Sequence, residues 1–136
     1  MVGIMGNKKS FTLHIFTSIF LGIIIYASYR GLHFIDPTER FFPLYEGQFP
    51  NWIKYNLPDG LWLYAVLATI TLIWKRDLSR TFHLWLASTI LLTFLTEFFQ
   101  ATHFIKGTFD WKDLLAYSLA IILYYLNFRH LTNNYN

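Results

Sequence analysis

Charged positions break this chain into apolar blocks. Four stretches carry no Asp, Glu, Lys or Arg: 11–29, 60–74, 81–96 and 114–128. A helix that crosses a bilayer needs about 20 mostly apolar residues, with a range of about 17–25. The first stretch has that length alone, and the others reach it by taking in neighbours such as Pro58, Phe98 and Trp111. The pattern predicts four transmembrane helices, at about 11–29, 58–74, 81–99 and 111–128. Each must be helical, because hydrocarbon offers an open backbone no hydrogen-bond partner. The expected fold class is therefore all-α, an integral membrane four-helix bundle in one transmembrane domain, 1–136.

The segment between the first two spans, 30–57, is the longest connection. It carries Pro37, Pro43 and Pro50 among Phe41, Phe42, Tyr45, Phe49, Trp52 and Tyr55. So many aromatic residues predict a loop lying on the membrane surface, with a short interfacial helix near 51–56. Pro58 suits the first turn of the second span, where a missing N–H is harmless. The Asn-rich end, 132–136, is expected to fray. Lys8-Lys9 before an apolar run resemble a signal peptide, but the run is long for one and no A-x-A site follows, so an uncleaved span is expected. Small residues four apart, Ser18 with Gly22 and Ala116 with Ala120, are either close-packing helix contacts or chance in apolar sequence.

Composition narrows the picture. Of 136 residues, 54% are hydrophobic, 21% aromatic and only 14% charged. A soluble domain has about 25% charged residues, so a soluble globule is disfavoured, and disorder is excluded. The net charge of +3 comes without a basic run longer than two residues, so no nucleic-acid partner is expected. With no Cys, thiolate chemistry and disulfides are excluded.

Charge also orients the bundle. With both termini inside, the inner side holds six basic residues (Lys8, Lys9, Lys75, Arg76, Arg80, Arg129) against one acid, Asp77. The outer side then holds five basic residues against seven acids. Basic residues favour the cytoplasmic side, which predicts N-in/C-in topology with an aromatic outer loop.

The candidate chemistry lies on the third span and the start of the fourth. Thr89, Thr93, Thr96, Glu97 and Gln100 recur at helical spacing on one face, which is expected to face the bundle interior. Glu97 is the unusual member. The C-terminal end of a helix disfavours a carboxylate, and ionisable residues in spans mark function by default. The alternative is a Glu reaching the headgroups, bonded to Gln100 or Lys106. Asp110 and Asp113 fit an N-cap and the third position of a capping arrangement, and equally fit a site shared with Glu97 across the short 100–110 loop. Such a site, Glu97, Gln100, Asp110 and Asp113, is a ligand-binding candidate for a cation or an ammonium group.

Metal binding is left open: Glu97, His103 and Asp110 have the donor chemistry for a divalent ion, although an interfacial loop role fits His103 better. Catalysis needs an acid/base pair or a metal. The chain has no HExxH motif and no nucleophile elbow, which weighs against an enzyme. A membrane-embedded hydrolase would need a metal or activated water between Glu97 and Asp110. No cofactor is expected. His14 and His83 read as neutral interfacial rings, and Trp62, Tyr64, Trp74, Trp85 and Trp111 as an aromatic belt.

At Glu97-Phe98-Phe99-Gln100, and again at Gly107-Thr108-Phe109-Asp110-Trp111-Lys112-Asp113-Leu114-Leu115, the sequence resembles the VanZ-like family. These are small multi-span bacterial membrane proteins named for a teicoplanin-resistance accessory protein. Their pattern is E-x-x-Q on one span, then an F-D-x-x-D turn into the next. Tyr117 stands where the family usually has Asn, Ala120 where it has Gly, and Gly107-Thr108 where it has Arg. The resemblance covers about 97–120. It implies a multi-pass protein of the bacterial cytoplasmic (inner) membrane with a role in the cell envelope. Its outward-facing site would contact a glycopeptide or a lipid-linked wall precursor. The rival expectation is a non-catalytic small subunit of a larger membrane complex. The expected partners are thus the lipid bilayer and either an envelope ligand or a partner membrane protein.

Overall fold

A computed structural model describes residues 2–30, 50–74 and 78–133. Among these, the backbone forms five helices and no strand: α1 (Val2–Arg30), α2 (Asn51–Tyr55), α3 (Leu57–Trp74), α4 (Arg80–Ala101) and α5 (Trp111–Asn133). The all-α expectation is met. α2 is the short helix expected near 51–56, and α5 continues through Asn133, past the expected start of fraying. The aromatic stretch 31–49, the segment Lys75-Arg76-Asp77 and the last three residues lie outside the described residues.

Local chemistry sets the helix ends. Pro50 precedes α2 with φ −54° and ψ 139°, outside the helical region. Pro58 falls in the first turn of α3, where its ring costs no backbone bond. Ser79 caps α4 by accepting from the Phe82 amide at 3.4 Å. At the other end of α4, His103 takes the left-handed conformation, φ 58°. Its amide bonds the Gln100 carbonyl, and the Phe104 amide bonds the Phe99 carbonyl at 2.9 Å. This is a Schellman closure, and the Phe99 and Phe104 rings, 5.3 Å apart, supply its apolar contact.

Packing is organised around α3. Leu67 and Ala68 on it are fully buried, and α1 and α5 each pack extensively against it. α1 turns Ile15, Ser18 and Gly22 inward, a helical stripe. A Cβ on Gly22 would meet the Trp62 ring at 2.5 Å, so the missing side chain admits that indole. On the other flank, a Cβ on Gly60 would come within 2.9 Å of the Ala116 carbonyl. The two small-residue pairs therefore include real helix contacts, with Gly22 against α3 and Ala116 beside Gly60. Polar rungs also join α3 to α5. Thr71 and Tyr124 share a 2.6 Å hydroxyl bond, and Asn127 donates to the Tyr64 hydroxyl at 3.0 Å.

α4 differs. It touches α3 and α5 only thinly, and its buried residues are Phe82 and Glu97. Phe82 stacks on Phe128 of α5 at 6.1 Å. Leu84, Trp85, Leu91, Leu92 and Phe98 stay exposed on it. Among the described residues, α3 and α4 are long and apolar enough to cross a membrane; in α1 the apolar part is the shorter Thr12–Ser28.

Candidate functional site

The expected site residues collect at the end of the molecule that carries α2. There the close of α4, the 102–110 turn and the start of α5 meet the α2–α3 junction. Glu97 is only 4% exposed. Its Oε1 accepts from the Tyr117 hydroxyl of α5 at 3.3 Å. Its Oε2 is buried with no well-formed hydrogen bond among the described residues, although the Asp110 backbone amide lies near the carboxylate. Asp113 and Asp59 both lie within Coulombic reach of it. A buried oxygen without a donor is costly, so this atom is the anomaly of the site.

Asp110 and Asp113 are built differently. Asp110 Oδ1 accepts from the Lys112 amide at 3.0 Å, which makes Asp110 the N-cap of α5. Asp110 Oδ2 accepts from Asn56 Nδ2 at 3.1 Å, and the same amide donates to Asp113 Oδ1 at 2.6 Å. One Asn side chain thus ties the α2–α3 junction to the first turn of α5. The Lys112 amide, and after it the Asn56 side chain, holds the Asp110 carboxyl below the usual carboxylate range. Both residues sit where their charge favours the helix dipole.

Gln100 is brought to the same end but to another neighbour. Its side chain lies against Gly107, where a Cβ would meet the Gln100 amide carbon at 2.7 Å. Gly107 has φ +150°, a conformation other residues rarely adopt. The turn thus needs Gly there.

The threonine stripe faces inward in part: Thr89 and Thr93 are half-buried on the side of α4 that buries Glu97, and Thr96 is exposed. Thr89, Thr93 and Thr96 each bond the carbonyl four residues back in α4, at 2.8–2.9 Å. Their hydroxyls are satisfied within the helix, which frees that face from needing polar partners. Thr96 is exposed even though Glu97 beside it is buried. His103 is an exposed loop residue whose backbone closes α4. Among the described residues no three His, Cys, Asp or Glu side chains converge closely enough to hold a metal ion.

Two residues of the site escaped the sequence reading. Asn56 is 3% exposed. The available signal was a lone amide between two apolar helices, three positions before Asp59. Tyr117 stood out only as a departure from the VanZ-like pattern, yet its hydroxyl is the one described side-chain donor to Glu97. The chain was compared with family models, curated proteins and solved structures, and it matches none of them.

Proposed function

We propose that this chain is a VanZ-like, four-span protein of the bacterial cytoplasmic membrane, N-in/C-in, with the α2 end outward. Its ligand-contacting group is Glu97, and its ligand is an ammonium-bearing glycopeptide or lipid-linked wall precursor. The observation that carries the reading is Glu97 Oε2, a buried carboxylate oxygen with no well-formed hydrogen bond among the described residues. A cationic donor on a ligand satisfies it and offsets the neighbouring acids. In this reading Asp110 and Asp113 shape the site through Asn56, and Gln100 positions the turn. The apolar exterior of α4 and the basic residues of the expected inner side support the membrane topology.

The test expresses the wild-type chain and Glu97→Gln in a bacterial host and scores glycopeptide sensitivity beside the amount of protein in the membrane. The expected result is a changed sensitivity with the wild type, lost in Glu97→Gln at equal membrane abundance. A fully active Glu97→Gln removes the site. A second reading, a small subunit of a larger membrane complex, draws on the thin packing of α4. It predicts that Glu97→Gln leaves activity intact, while polar substitutions at exposed Leu91 and Leu92 release the chain from a larger assembly.

A further inference from the structure

α1 and α5 both pack on α3, and between them runs a groove of about 750 Å³. Its walls are almost wholly apolar, with Gly60 of α3 and Leu119 of α5 among them. Polar groups mark its ends, with Asn127 at one and a charge at the other. There Trp52, Trp111 and Lys112 gather, and Lys112 is the one charged side chain along the described wall. From Lys112 to Asn127, which line its two ends, α5 rises about 22 Å. That exceeds one leaflet's share of a hydrocarbon core about 30 Å thick. The groove is long enough for a whole acyl chain.

We propose that this groove binds one anionic phospholipid, with its phosphate at Lys112 and one acyl chain laid along Leu119. Three features match that molecule. Lys112 places a positive charge at one end of an apolar channel, as a headgroup sits at one end of its chain, and that charge also reaches Asp110. A lysine ammonium is a point-charge partner for phosphate. Tryptophans belong at the headgroup level, where one face of the ring is apolar and the N–H is wet. The narrow floor follows from Gly60 meeting Ala116 backbone to backbone. The proposal rests on the membrane reading above but not on the role of Glu97.

The test uses the full-length protein purified in mild detergent, exchanged with phosphatidylglycerol or phosphatidylcholine, and weighed by native mass spectrometry. One phosphatidylglycerol should be retained in preference to phosphatidylcholine by about tenfold or more. Lys112→Gln should abolish the preference while the protein keeps its helical circular dichroism. Leu119→Trp, which fills the groove at an exposed position, should lower retention of both lipids. Glycerol phosphate alone, which has no chain, should not raise the melting temperature. Equal retention of the two lipids, an unchanged preference in Lys112→Gln, or a lipid-free dimer that Leu119→Trp disrupts would each overturn the proposal. A protein that stays soluble without detergent would instead overturn the membrane reading.

Discussion

The Tyr117 hydroxyl stands 3.3 Å from Glu97 Oε1, and the other carboxylate oxygen of Glu97 is buried with no well-formed hydrogen bond among the described residues. The two residues should therefore be energetically coupled. Tyr117→Phe should cost about 1 kcal/mol, the usual net worth of a buried hydrogen bond. Glu97→Gln should be neutral or stabilising by about 0.3–1 kcal/mol, since it removes a negative charge from the C-terminal part of α4. The double variant should lose less than the sum, as contacting residues do. Thermal unfolding of the four proteins in detergent measures the cycle. Strict additivity would show that the pair does not interact.

Asn56 offers a sharper stability test. Its amide serves two carboxylates at once, and hydrogen bonds to charged groups are worth about 1.5–3 kcal/mol each. The bond to Asp113 alone sets the scale, so Asn56→Ala should destabilise by about 1.5–3 kcal/mol, measured by chemical unfolding in micelles. Asn56→Asp should do worse, because it sets a third acid against Asp110 and Asp113. A loss below about 1 kcal/mol would place this contact among exposed pairs of little worth.

Asp110 sets a pH dependence. Its carboxyl titrates lower when folded, chiefly through the Lys112 amide and then Asn56. An unfolded Asp has a pKa of about 3.9. The contribution of Asp110 is therefore fully present above that value and is lost as pH falls through the lower folded value. Asp110→Asn keeps a competent N-cap but removes this titration. The difference in melting temperature between wild type and Asp110→Asn should be constant at neutral pH and shrink below about pH 4. A difference that grows on acidification would reverse the assignment.

How much of this was legible beforehand varied by residue. Prolines and charges are local signals, so the helix expected at 58–74 appears as Leu57–Trp74. Glu97 stood out because a carboxylate interrupts an apolar run. Asn56 did not, because its partners lie 54 and 57 positions away and meet it only through the packing of α3 on α5. For the threonines of α4, polarity alone did not reveal that each hydroxyl returns its bond to its own helix, or that Thr96 is exposed. His103 looked like a possible metal ligand, but its contribution is backbone conformation.

That conformation makes its own prediction. His103 is left-handed at the end of α4, where Gly is favoured. His103→Gly should stabilise by about 0.5–1 kcal/mol. Gly107→Ala, at φ +150°, should destabilise. Opposite signs in paired melts support the turn as described; destabilisation by His103→Gly would give the imidazole a role of its own.

In the proposed topology the carboxylate end faces out of the cell, and cysteine accessibility tests this most directly. The native chain has no Cys, so a single introduced thiol reports without background. Thr108→Cys, in the exposed turn beside the site, should react with a membrane-impermeant maleimide on intact cells. Leu78→Cys, exposed at the opposite end of α4, should react only after the cells are opened. Labelling of Leu78→Cys on intact cells with Thr108→Cys protected would contradict the topology and the outward-facing site together.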